Sequence, residues 1–93
     1  MEFDWDPAKD ALTRQQRGFG FGYAIRIFAG PVIEANDRRQ DYGEERIRAI
    51  GEIDGRAFVV IYTDRRRDGV LVRWIISAWK AGGKDLRLWQ NRA

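Results

Sequence analysis

From Glu2 to Asp6 acidic and aromatic residues alternate. Phe3 and Trp5 fall on one side, and Glu2, Asp4 and Asp6 on the other. A period of two predicts a short half-buried strand. Asp6-Pro7 then reads as a helix start: Asp6 can accept from free backbone N–H groups, and proline fits the first helical position, where its missing donor costs nothing. Ala8, Ala11 and Leu12, spaced i, i+3, i+4, form a narrow apolar stripe, and Gly18 ends the helix. Phe21, Ala24, Ile25 and Phe28 repeat at i, i+3, i+4, i+7 and predict a second short amphipathic helix, stopped by Gly30-Pro31.

The remainder reads mainly as strands. Residues 31–35 are apolar enough for one, and the polar stretch 36–44 is an exposed turn. Over 46–53 Ile47 and Ala49 oppose Arg46 and Arg48. The segment AFVVIYT, Ala57 to Thr63, is apolar on both faces, as a central strand should be. Asp64 to Gly69, with Arg65, Arg66 and Arg67 inside it, reads as a solvated hairpin turn. Val70 to Ala78 then alternates, with Val70, Val72, Trp74 and Ile76 against Leu71, Arg73, Ile75 and Ser77. After Gly82-Gly83 a last helix runs from Lys84 to Asn91. The order is β-α-α-β-β-β-β-α, which predicts an α+β fold, an antiparallel sheet with its helices packed to one side. Residues 1–93 make one domain.

Composition narrows the chemistry. No apolar run approaches the ~18 residues of a membrane span. The opening Met-Glu-Phe-Asp lacks the basic start of a signal peptide, so the expected location is cytoplasmic. Cysteine and histidine are both absent, which argues against disulfides and a structural zinc site. No loop has hard-cation ligand spacing, and no metal or cofactor is expected. Fourteen of the seventeen basic residues are Arg, the side chain suited to bidentate contact with phosphate and carboxylate. From Arg73 onward Arg73, Lys80, Lys84, Arg87 and Arg92 face Asp85 alone. Such a basic third suits a polyanion or an acidic protein partner; a merely solvated surface is the plain alternative.

Four stretches carry a family resemblance. FDWDPAK (Phe3–Lys9), Gly18 with Phe21 and Ala24, GEERIRAIG (Gly43–Gly51) followed by VVIYTDR (Val59–Arg65), and IISAWKA (Ile75–Ala81) occur in this order across nearly the whole chain. Together they resemble the BrnT-like toxins of bacterial type II toxin–antitoxin pairs, which implies a RelE-like ribonuclease fold. The chain departs from the family at several positions. Gln16-Arg17-Gly18 stands where the family carries Lys-His-Gly, and Thr13 where it carries Asn. Trp74 and Trp79 occupy its two closing-strand arginine positions. Gly82 and Asp85 replace a Thr and Glu capping pair.

The resemblance implies a metal-independent ribonuclease that inhibits translation, in which the RNA 2′-hydroxyl is the nucleophile. Such chemistry needs a base, an acid and positive charge on the phosphorane. The catalytic candidates are Arg46, Glu45 as general base, Lys80 and Arg17. Arginine at position 17 keeps the charge of the family's histidine but cannot shuttle a proton near neutrality. Arg73, Arg48 and Trp79 are candidate RNA or phosphate contacts. Strand alternation puts Arg73 opposite in facing to the family's arginine position unless a bulge intervenes. Trp79 could stack a base or pack against the last helix. Asp6 and Lys9 read as a cap and its ion pair. The implied partners are RNA and a small BrnA-like antitoxin with a ribbon-helix-helix domain, which would reach DNA for the pair. The alternative is a diverged, non-catalytic BrnT-like module that acts through antitoxin or RNA binding.

Overall fold

A computed structural model describes residues 1–92. Five strands form one sheet: β1 (Glu2–Trp5), β2 (Ile33–Asn36), β3 (Ile47–Ile53), β4 (Arg56–Arg67) and β5 (Val70–Lys80). Their spatial order is β1-β5-β4-β3-β2. Among β2 to β5 every adjacent pair is antiparallel, as expected. β1 differs. It joins the sheet parallel to β5, so the sheet is mixed. The reason is connectivity: β1 comes first, and its partner arrives some seventy residues later from the far side of a hairpin, in the same direction.

β4 is the centre. Val59, Val60 and Ile61 are at most 1% exposed, as a strand covered on both faces must be. It is also longer than its apolar run suggests, because strand pairing continues through Arg65, Arg66 and Arg67. The expected turn over 64–69 shrinks to Asp68-Gly69. Both residues have positive φ, as a two-residue hairpin turn requires. Two of these arginines meet carboxylates: Arg67 pairs with Asp4 of β1, and Arg65 with Glu44 in the loop before β3.

The alternation expected in β5 holds only as far as Ile75. Ile61 opposes Ser77 and Tyr62 opposes Ile75, which leaves Ile76 as an unopposed bulge residue. The bulge shifts the parity of the residues after it. Trp74 and Trp79, opposite Thr63 and Val59, therefore share one face. Arg73 and Lys80, opposite Asp64 and Phe58, share the other.

Helix α1 (Pro7–Arg17) starts as its residues dictate. Asp6 accepts from the Ala8 N–H at 2.9 Å, and Gly18, at φ 81°, closes the last turn with its N–H on the Arg14 carbonyl. Its stripe of Ala8, Ala11 and Leu12 is nevertheless exposed. The buried residue is Thr13, on a different face. Packing decided this. Asp10 reaches across to accept from the Phe21 N–H at 2.7 Å and caps α2 (Phe21–Ala24) from a distance. Gly20 makes the approach possible, since a Cβ there would lie 2.7 Å from that carboxylate.

Helix α2 and the 3₁₀ turn that continues it (Ile25–Ala29) cover one sheet face. Phe21, Ala24 and Ile27 pack with Ala49, Ile53, Phe58, Val60 and Tyr62. The last helix, α3 (Gly83–Gln90), does not join them. Trp89 packs with Ile50, Val59 and Ile61 on the opposite face. The expectation of helices on one side is thus corrected. A central strand apolar on both faces needs cover on both, and α3 is the segment left to supply it.

Candidate nucleic-acid interface

The loop between β2 and β3 is organised by one carboxylate. Asp37 has a side chain 1% exposed, and it accepts from Arg39 Nε at 2.8 Å and Arg39 Nη2 at 2.9 Å. The Tyr42 hydroxyl donates to it at 3.3 Å, and its own N–H donates to the Arg46 carbonyl at 2.8 Å. Hydrogen bonds from Arg39 hold the Asp37 carboxyl below its usual range, against the opposing effect of burial. Fixed in this way, Tyr42 presents its ring to Arg46, whose guanidinium carbon stands 3.9 Å from the ring centroid.

Arg46 is the unusual member. Its Nε is buried and has no hydrogen-bond partner among the described residues. No carboxylate among them pairs with it, although seven other ion pairs involve Arg. A buried donor left without an acceptor costs ~1–3 kcal/mol. The Nη groups of the same guanidinium have no acid partner among the described residues either, and a phosphate would match their charge and planar fork.

Two more cations gather near it from α1. Burial lowers the Lys9 ammonium from its ordinary value, although much of the side chain meets solvent. The charges of Arg46 and Arg17 lower it further, while Asp6 acts in the opposite sense. Lys9 forms no ion pair among the described residues, so the expected Asp6–Lys9 pairing reduces to that field, and Asp6 serves as the cap. Thr13 donates to the Lys9 carbonyl at 2.9 Å. Arg17 reaches β5, with Nη1 donating to the Ala78 carbonyl at 3.4 Å. Sequence reasoning passed over Lys9 as a site residue. The available signal was the polar series Lys9, Thr13, Arg17, at i, i+4, i+8 on one helix face.

The other expected residues do not converge on this cluster. Arg48, opposite Ile61, points to the α3 face, where it pairs with the nearly buried Asp85. Trp79 lies on that face under two guanidiniums, Arg48 at 5.5 Å and Arg39 at 5.7 Å. Arg73 lies on the opposite face. It grips Asp64 through two hydrogen bonds, of 2.9 and 3.1 Å, and covers Tyr62 at 4.0 Å. Lys80 shares that face, but at the far end, opposite Phe58. Glu45 is exposed and forms no ion pair among the described residues; its carbonyl accepts from Thr63 Oγ1 at 2.8 Å.

A cluster of Lys, Arg and Arg without acid partners, beside a loop that presents a tyrosine, suits a phosphate backbone. Residues 5–85 match the family model described as the ribonuclease toxin BrnT of a type II toxin–antitoxin system. The chain belongs to that family. No curated protein matches it. The α+β fold with its five-stranded mixed sheet is consistent with such a toxin, and BrnT membership implies a protein antitoxin as partner. Among the described residues no helix is long and apolar enough to cross a membrane.

Trp74 and Trp79 have positive charge beside them. Arg65 lies 5.0 Å over Trp74, while Arg39 and Arg48 cover Trp79. Each of the three also has a carboxylate partner, Glu44, Asp37 or Asp85. Much of that charge is therefore neutralised, unlike the charge on Arg46.

Proposed function

We propose that this BrnT chain is a metal-independent endoribonuclease that inhibits translation and is neutralised by a small BrnA-like antitoxin carrying a ribbon-helix-helix domain. The observation that carries the reading is Arg46, with its buried Nε lacking an acceptor and with Lys9 and Arg17 near it. In this reading the 2′-hydroxyl attacks phosphorus and the 5′-oxygen leaves. Arg46 and Arg17 hold the charge that develops on the phosphoryl oxygens. Lys9, whose pKa is lowered first by burial and then by the charges of Arg46 and Arg17, takes the hydroxyl proton, and water returns one to the leaving oxygen. Glu45 is the other group able to act as base. Arg48 and Trp79 serve as structural contacts for α3, and Arg73 as a brace for Tyr62.

The test is cleavage of bulk RNA by the purified chain and by Arg46→Ala, Arg17→Ala and Glu45→Gln. Arg46→Ala and Arg17→Ala should each lower the rate by ~100- to 1,000-fold, the range for one lost transition-state donor. Wild-type cleavage that survives both changes intact removes the proposed site. Induction in bacteria should arrest growth, and co-expression of the antitoxin should restore it.

A non-catalytic binding module is the second reading. It is favoured by Arg17 and the two tryptophans at positions where the family carries His and Arg, and by the neutralised arginines over Trp79. RNA binding without cleavage, together with harmless expression, would establish it.

A further inference from the structure

At the end of the sheet remote from the Asp68-Gly69 turn, a cleft of about 530 Å³ opens between the α1–α2 junction and the β3–β4 hairpin. That volume lies within the ~300–1,000 Å³ of ordinary ligand pockets. Its apolar walls are aromatic: Phe19 and Tyr23 are half-buried, and Phe58 forms a buried floor. The rings lock edge to face, with Phe19–Phe58 centroids 5.2 Å and Tyr23–Phe58 centroids 5.7 Å apart. Arg26 covers Tyr23 at 5.1 Å, and of the two half-buried rings Phe19 has no guanidinium over it. Gly18 and Gly20 flank Phe19 in the chain, so its two immediate neighbours add no side chain beside the ring.

The charges around these rings are unequal. Asp54, the acid on the rim, is paired with Arg26 at 3.3 Å. Arg56 and Lys80, on the same rim, have no carboxylate partner among the described residues. An aromatic recess with two free cations is complementary to an anion that carries a flat ring. A nucleotide of single-stranded RNA meets both requirements, the base against Phe19 and a phosphate on Arg56 and Lys80. The cleft also adjoins the arginine cluster. Gly18 in its wall follows Arg17, whose guanidinium is anchored on Ala78, two residues before Lys80.

We propose that this cleft is a nucleotide subsite that holds a base of single-stranded RNA flanking the bond at Arg46. The assignment rests on the ribonuclease reading and extends it to substrate recognition. It moves Lys80 from the reacting phosphate to a neighbouring one.

The test is binding of a fluorescent single-stranded 2′-O-methyl RNA, which lacks the attacking hydroxyl and survives the measurement. The wild type, Phe19→Ala, Phe19→Trp, the double variant Arg56→Ala/Lys80→Ala, and Arg46→Ala are compared by anisotropy. Phe19→Ala should weaken binding by ~5- to 100-fold, the range for one lost base stack, and Phe19→Trp should restore it. The double variant changes only exposed, unpaired side chains, so it reports on binding without disturbing the core. Its logarithmic salt slope should flatten by ~0.7, for the one phosphate no longer held. An oligonucleotide with abasic sites should make wild type and Phe19→Ala indistinguishable. If Arg46→Ala weakens binding while the cleft variants bind like the wild type, the subsite is overturned and the ribonuclease reading stands. If the wild type binds no RNA, both fall. If the double variant releases the antitoxin while RNA affinity is unchanged, the cleft belongs to the protein partner and the assignment is wrong.

Discussion

Lys9 shows how a side chain's neighbours set its chemistry. Its folded pKa is lowered below the ordinary 10.5, chiefly by burial and then by Arg46. Between the folded value and 10.5 the unfolded chain binds more protons than the folded one. Stability therefore rises with pH across that window, and Lys9→Met should abolish the rise in a denaturant series at alkaline pH. The same variant should lower RNA cleavage by ~100- to 10,000-fold, as loss of a general base does. Lys9→Arg separates charge from proton transfer: it should keep RNA affinity and lose cleavage. Asp37 has the opposite sign. Its carboxyl is depressed by Arg39, so its contribution is fully present above 3.8 and fades as pH falls through the folded value. Asp37→Asn should cost about 2 kcal/mol at neutral pH, since it weakens hydrogen bonds to a buried charge. Urea unfolding of both proteins at neutral pH and in acid checks the magnitude and the sign.

Between elements, contact distance governs. β3 carries Gly51 where the 3₁₀ turn crosses the sheet. A Cβ there would stand 2.7 Å from Ile27 Cβ and 3.0 Å from Val32 Cγ1. Ile27 is itself 1% exposed and has nowhere to move. Gly51→Ala should therefore destabilise by ~1–3 kcal/mol through overpacking, read as a lower urea midpoint at unchanged slope. On the other face α3 is held without a side-chain cap, because Gly82 occupies that position and Asp85 spends its carboxylate on Arg48. The helix depends on that pair, on Trp89 against the β4 surface, and on Trp89 Nε1 donating to Glu52 at 3.3 Å.

Across the whole molecule the arginines divide into two populations. Arg14, Arg26, Arg39, Arg48, Arg65, Arg67 and Arg73 have acid partners within the fold. Among the described residues Arg17, Arg38, Arg46, Arg56, Arg66, Arg87 and Arg92 have none; of these Arg17, Arg46 and Arg56, with Lys9 and Lys80, line the route proposed for RNA. Net charge is only +3, so attraction of RNA comes from this uneven pairing rather than from bulk charge. Arg17 and Arg46, on the phosphate at the cleaved bond, predict a slope of log affinity against log salt of about −0.7, or steeper if the cleft is also occupied. Arg46→Ala should reduce it by up to about 0.7, whereas Arg67→Ala, which removes a cation already paired with Asp4, should leave it unchanged.

Local information was legible in the residues alone. Asp6-Pro7 and Gly18 bound α1, period-two runs mark the strands, and the order of elements follows from those signals. The family, too, was legible, because its motifs are contiguous words in the chain. Tertiary structure alone decided which faces were used. It paired β1 with a strand seventy residues away, sent α3 to the face that a doubly apolar β4 left bare, and buried Thr13 rather than the Ala8–Leu12 stripe. It also placed the Ile76 bulge, which put Trp79 with Trp74 and Lys80 with Arg73. The candidate site was half legible: Arg46 and Arg17 could be chosen by residue type, but Lys9 was signalled only by its place in the polar series with Thr13 and Arg17, because its altered proton affinity comes from burial and then from Arg46, which exist only in the fold. The reason is physical. Caps and periodicity act within a few residues along the chain, whereas pairing, burial and charge clustering depend on distances in space that one residue's slip in a strand can reverse.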